Sequence, residues 1–248
     1  MLKEFHKSLY PVLKNFTLVI VDIGLTKYEK IRMEKHCRCQ VISFPFNELP
    51  PHFRNLRCFA WKPYVIAAML SKTEVVMWAD SSTRFTKPEL VNEYVVRTKS
   101  RGVQIRCGNM ARTPYHTVPA IFEAYGDSPC AHFTFRMVEA NFGLFHSEPL
   151  VVRAVVEPWL ACASRADCMC PPDYDYEDHH DCSWPQLDRE IGICNRFDQS
   201  ALSIVLEKLF RENLYHFAVN MESFQATRRH DKASYFDERE RRTGFFFS

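Results

Sequence analysis

Three short apolar runs, each closed by a polar or acidic residue, constrain the fold of this chain more than any other feature. They are Leu18-Val19-Ile20-Val21 ending at Asp22, Gln40-Val41-Ile42-Ser43-Phe44, and Val75-Val76-Met77-Trp78 leading to Asp80. Runs this short and this rich in β-branched residues read as buried strands rather than half-exposed alternating ones. Helix-length stretches separate them. Thr26 caps a charged helix from about Tyr28 to Lys35, after a turn that Gly24 permits. A second helix covers Pro63 to Leu70, with its proline in the first turn, where the missing N–H has no partner to lose. This strand–helix–strand alternation is the sign of βαβ units, so the chain reads as α/β, with a mixed, mostly parallel Rossmann-like sheet flanked by helices.

The remaining segments extend that pattern. Leu2, Phe5, Leu9 and Leu13 recur at helical spacing. Beyond the third run, a helix is expected from Pro88 to about Lys99, a short strand over Val103 to Arg106, and one helix around Ala120 to Ala124. A strand lies within Met137 to Phe145, with Asn141-Phe142-Gly143 near a turn or bulge. Leu150 to Ala163 reads as a helix kinked at Pro158, and Phe197 to Phe210 as another. Phe217-Ala218-Val219 is a last strand. The boundaries expected are one domain over residues 1–226, containing a cysteine-rich loop at 162–194, and a charged, solvated tail at 227–248.

Composition excludes several function classes. A net charge of +2 over 248 residues gives no electrostatic reason to bind nucleic acid or an anionic membrane. No G-x-G-x-x-G or G-x-x-x-x-G-K occurs, against dinucleotide-fingerprint and P-loop readings, and no G-x-S-x-G is present. The chain has ten cysteines, crowded toward Cys130 to Cys194, which fits disulfides formed in an oxidising compartment. The cluster Cys162, Cys168, Cys170, His179, His180 and Cys182 is also readable as a zinc site, although it lacks the paired C-x-x-C spacing. Asn15-Phe16-Thr17 is an N-glycosylation sequon. The first residues show no signal core and no stretch reaches transmembrane length, so the natural start is expected to be missing.

Individual residues leave alternatives open. Asp80 sits at the carboxyl end of a strand, where ligands bind in open α/β sheets, and could hold a metal ion or a ribose hydroxyl; it could equally cap the helix near Pro88. Asp198 complements a helix dipole at the start of its helix, which explains the aspartate better than the neighbouring Gln199. Lys62, beside Trp61, suits a phosphate or a stem lying over an indole. His116, His132, His146, His216 and His230 carry no local signature.

Five segments nonetheless follow one another in a characteristic order. They are Val21-Asp22-Ile23-Gly24-Leu25, Ala60-Trp61-Lys62-Pro63, Trp78-Ala79-Asp80-Ser81-Ser82-Thr83-Arg84-Phe85, Pro158-Trp159-Leu160-Ala161-Cys162-Ala163 and Arg196-Phe197-Asp198-Gln199-Ser200-Ala201. The series, over roughly Phe16 to Leu209, resembles an uncharacterised family of secretory-pathway glycosyltransferase-like proteins, many with an N-terminal membrane anchor. More distantly it is similar to the glycosyltransferase-A fold. The resemblance implies a nucleotide-sugar donor such as a UDP-sugar, a glycan or glycoprotein acceptor, and a Golgi-lumen setting for an anchored full-length form. It places Asp80 where an Asp-x-Asp motif binds a divalent metal, manganese or magnesium, and the donor diphosphate. The second acid of that motif is replaced, the triplet being Asp80-Ser81-Ser82. On the donor side the resemblance adds Ser82, Arg84, Lys62 and Asn141. Asp198-Gln199 resembles an Asp-Gln pair whose acid positions or deprotonates an acceptor hydroxyl, and His216 or His230 would complete the metal shell. The fold's first strand is expected to be absent. Two other readings accompany this one: an inactive binding or scaffold protein of the same fold, and a zinc-stabilised interaction module on residues 162–194.

Overall fold

Thr26 starts the first helix as its sequence dictates. Its hydroxyl accepts from the Glu29 backbone N–H at 3.2 Å, while the Glu29 carboxylate accepts from the Thr26 N–H at 2.8 Å. This reciprocal capping box satisfies two donors that a helix start leaves over. Asp22, at the end of the preceding strand, accepts from the N–H groups of Gly24 and Leu25 at 3.0 and 2.8 Å, so it is spent on the turn. The computed structural model describes residues 10–81, 83–174, 182, 191–219 and 226–227, with the side chains of 84, 108–110 and 226–227 left aside. The expected helix over Leu2 to Leu13 lies mostly outside these residues, as does most of the tail.

The backbone clusters into two compact units, Met1–Pro45 with Ser81–Glu93 and Glu222–Ser248, and Phe46–Asp80 with Tyr94–Met221. In the first, β1 (Val19–Asp22) pairs in parallel with β2 (Gln40–Ser43) across α1 (Lys27–His36), the right unit for the predicted βαβ pattern. A disulfide joins Cys37 to Cys39 behind α1. A two-residue strand, β4 (Thr83–Arg84), pairs antiparallel with β8 (Ala226–Thr227).

The second unit holds α2 (Trp61–Leu70), β3 (Val75–Ala79), the body of α3 (Val91–Arg101), β5 (Val103–Arg112), α4 (Pro119–Ala124), β6 (Arg136–His146) and β7 (Ala218–Val219). Its sheet has the order β3-β6-β5-β7. Here the mostly parallel expectation is corrected. β3 and β5 do run in the same direction, as two strands joined by a helix should, but the long β6 lies between them, antiparallel to both; only β5 and β7 pair in parallel. Hydrophobic runs reveal that a strand exists and not which neighbours it separates. The sheet is therefore mixed and predominantly antiparallel.

The expected irregularity near Asn141 is present. Ile105 pairs with Gly143 and the next residue, Arg106, with Glu139, so Ala140, Asn141 and Phe142 bulge away from β5. Behind the sheet runs α5, built of Pro149–Val151, a π-helical turn Val152–Val156 and Glu157–Ala163. The predicted disturbance at Pro158 takes the form of that widened turn, which accommodates a residue with no N–H to give and a ring that crowds the preceding turn. α6 (Ala166–Met169) and the long α7 (Asp198–Phe210) complete the unit. Phe142, Leu144, Phe145, Ile105, Trp159 and Ile204 are almost wholly buried between sheet and helices.

Disulfides Cys58–Cys170, Cys162–Cys168 and Cys182–Cys194 staple the second unit. They consume every cysteine of the supposed zinc cluster and leave no thiolate there for a metal, while His179 and His180 lie outside the described residues. Four bridges fit a disulfide-bonded secreted protein. Among the described residues no helix is long and apolar enough to cross a membrane.

Candidate functional site

Lys62 is the second residue of α2, whose ten residues contain no other charge. A cation in the first turn opposes the helix dipole, and the side chain is 3% exposed, so something else must hold it. Its ammonium lies 2.7 Å from Asp198 Oδ2 and 3.3 Å from Asp80 Oδ1, and donates to the Ala140 carbonyl at 3.0 Å. Ala140 belongs to the β6 bulge, which turns that carbonyl to account. The rings of Phe59, Trp61 and Trp78 surround the ammonium at 5.3, 5.9 and 5.9 Å from their centroids.

Asp80 follows β3 directly. Its backbone N–H donates to the Asn141 carbonyl at 2.8 Å, extending the β3–β6 ladder by one residue. Strand alternation places Trp78 and Asp80 on one face, and Trp78 Nε1 donates to Asp80 Oδ1 at 2.9 Å. Oδ1 thus takes both the indole and the ammonium. Oδ2 has no partner among the described residues, and the side chain is 29% exposed. Asp198 is its buried counterpart, the first residue of α7. Phe197 before it has φ 47°, a left-handed value uncommon for a bulky residue. The strain is fixed by neighbours: Asn195 Oδ1 accepts the Phe197 N–H at 3.1 Å, and the Asp198 carbonyl accepts from Trp159 Nε1 at 2.9 Å.

The charges in this triad sum to one negative. Burial pushes Asp198 up to about 6, opposed by Lys62 and reinforced by Asp80. For Lys62, burial works against the charged form, but the Asp198 carboxylate and then the Asp80 carboxylate outweigh it and hold the ammonium above the ordinary lysine range. Lys62 is therefore a charged residue held by two carboxylates and one carbonyl.

The sequence candidates divide clearly. Lys62, Asp80 and Asp198 converge. Asn141 joins through its backbone, while its amide donates to Glu139 at 3.1 Å; Glu139 pairs with Arg106 at 2.7 Å. Gln199 turns toward the core, its amide 3.7 Å from Met137 Sδ. Arg84 belongs to the other unit and its side chain is not described; Ser82 and His230 lie outside the described residues. His216 does not join. It precedes β7 on the edge opposite β3, about 14 Å away across three strand spacings, and it stands toward the other end of the strands. Trp78 and the Ala140 carbonyl were missed by sequence reasoning. Alternation alone signals the Trp78–Asp80 pairing, whereas nothing local signals Ala140.

The divalent metal that the resemblance implies does not fit these residues. Among the described residues, the two carboxylates that converge already hold an ammonium between them, at the place a cation would take. Among the described residues no group of three His, Cys, Asp or Glu side chains could hold a metal ion.

A second buried charge cluster lies farther along α7. Glu207 accepts from Thr113 Oγ1 at 2.5 Å and from His132 Nδ1 at 2.6 Å. His132 Nε2 is 3.2 Å from Asp127, which also meets Lys208 at 3.1 Å. Burial alone would lower the His132 pKa, but Glu207 and then Asp127 outweigh it and raise it. A groove of about 420 Å3, lined among others by Lys99, His146, Leu150, Val155 and Phe210, opens at the opposite end of the sheet from Asp80. Its walls are mostly apolar, and Glu74 pairs with both Lys99 and His146, so it offers no comparable chemistry. Protein-family models, curated proteins and solved structures were each compared with the chain, and none matches.

Proposed function

We propose that the chain transfers a sugar from a nucleotide-sugar donor to a glycan or glycoprotein acceptor in the lumen of the secretory pathway. The supporting observation is the convergence of Lys62, Asp80 and Asp198, remote in sequence, at the carboxyl end of β3. The roles differ from those the resemblance implies. Asp198 lies too deep to touch a ligand, whereas Asp80 turns Oδ2 outward. Asp80 is the base: the acceptor hydroxyl gives its proton to Oδ2, its oxygen bonds to the anomeric carbon of the donor, and the sugar–diphosphate bond breaks with its electron pair leaving on the nucleoside diphosphate. Asp198 and Lys62 are positioning residues that fix Asp80 from behind. Removing a general base costs roughly 100- to 10,000-fold in rate. Asp80→Asn should show that loss in an assay of nucleoside diphosphate release over a panel of sugar donors and glycan acceptors, and transfer at the wild-type rate by this variant would refute the assignment.

The second reading is a non-catalytic glycan-binding protein of the same fold. It is favoured by the burial of Lys62, whose ammonium is already paired with Asp198 and Asp80 and is turned away from a diphosphate in solvent. It predicts glycan binding without nucleotide turnover by the wild-type chain.

A further inference from the structure

We infer that the Asp80 site receives an uncharged saccharide ring, lying against Trp61 and Trp78 and hydrogen-bonded through a hydroxyl to Asp80 Oδ2, without a divalent metal. This rests on the sugar-transfer reading of the site and adds which sugars enter it.

Four observations carry it. First, Asp80 Oδ2 is the partly exposed polar atom of the cluster without a partner among the described residues, and an ionised carboxylate only accepts, so its partner must bring a donor such as a hydroxyl. Second, Phe59 is 37% exposed, and Trp61 and Trp78, 5.7 Å apart between centroids, are each half-buried beside it. Partly exposed rings next to a single well-placed polar group suit a ligand with apolar C–H faces and hydroxyl edges. Third, Trp61 Nε1 is buried with no acceptor among the described residues, a donor that a ligand hydroxyl oxygen can meet once the indole tips outward. Fourth, two cations near the site, among the described residues, are committed. Lys62 serves Asp80, Asp198 and Ala140, and Arg106 serves Glu139. An acceptor ring carrying a carboxylate or sulfate would bring its charge against Asp80 with no free cation among the described residues to receive it, and like charges at this range repel. The ammonium that saturates the carboxylates also removes the place for a bridging metal.

The experiment is a glycan array carrying neutral and acidic glycans, probed with the full disulfide-bonded chain in EDTA and again with Mn2+. Neutral glycans should bind equally in both, acidic ones at least about tenfold more weakly. Asp80→Ala and Trp61→Ala should each lose binding roughly tenfold or more; Trp61→Phe, which keeps the ring, replaces the latter if near-ultraviolet circular dichroism shows misfolding. Preference for acidic glycans, a requirement for Mn2+, or full binding by Asp80→Ala would overturn the inference. Nucleoside diphosphate release is measured in parallel. Turnover without neutral-glycan binding sinks this inference and leaves the transferase standing; neutral-glycan binding without turnover does the reverse.

Discussion

The helix α7 carries two buried charge clusters, one at its first residue and one near its last turn, and they are built to opposite plans. At its start, Asp198 and Lys62 are buried but Asp80 reaches solvent with one oxygen unclaimed. Near its end, His132 and Glu207 are both wholly covered, and Thr113, Asp127 and Lys208 close the circuit around them. Both clusters bear the desolvation cost of ions taken from water. Only the first has an arm left for a ligand. A buried charge network by itself says little about function; an incompletely satisfied one at the carboxyl end of a strand says more.

The comparison can be broken most decisively at the closed cluster. His132→Ala strands the Glu207 carboxylate in the core and should cost about 3–5 kcal/mol of stability in urea titrations. Glycan binding by the fraction that still folds should not change. A cost below about 1 kcal/mol would mean that the cluster is wetter than its burial implies.

A smaller effect separates the clusters by pH. His132 has a raised pKa, so its contribution is complete below the ordinary histidine value of about 6.5 and is lost as pH rises through the folded-state value. Glu207, raised by burial despite His132 and Thr113, acts in the same sense, because the native state again binds protons more tightly than the unfolded chain. The other groups facing them are Asp127, Lys208 and the Cys107 thiol, which burial and the charges of Glu139 and Glu207 push up to about 12 and so keep protonated. Native stability should therefore fall as pH rises, from about 4.5 through Glu207 and from about 6.5 through His132, and His132→Gln should flatten the upper part of that slope. An unchanged slope in the variant would assign it elsewhere.

The smallest expected change is at the open cluster. Asp80→Asn leaves Lys62 its contact with Asp198, and the lost interaction is partly solvent-screened, so stability should drop by less than about 1 kcal/mol. The same substitution is the one expected to abolish most transfer. A large loss of stability would show Asp80 to be a structural prop and the two clusters to be alike.

Much of this was legible in the residues one at a time. The capping box at Thr26, the strand over Val75–Ala79 and the bulge at Asn141 follow from local chemistry. Asp80, Lys62 and Asp198 each stood out for a local reason: a strand end, a cation beside an indole at a helix start, a first-turn acid. Their meeting did not. A contact between Lys62 and Asp198 depends on how α2 and α7 dock, and no periodicity records it. The direction of β6 was hidden for the same reason, since an apolar run looks alike whichever way its neighbours run. Disulfide partners were equally silent, because many pairings satisfy the same cysteine spacings. The His216 expectation rested on resemblance alone, and the sheet order places that residue at the far edge.

Cys58 closes the turn just ahead of Lys62, and its partner Cys170 follows 112 residues later. At ordinary translation rates that interval is on the order of ten seconds. For that time the nascent chain carries a thiol destined for a bridge without its mate, and a lysine destined for the interior whose buried counter-ion, Asp198, comes later still. This end of the sheet therefore stays open until the second half of the chain has been made. A stop codon between residues 80 and 198 would not yield a smaller version of the protein but one whose central cation lacks its buried counter-ion.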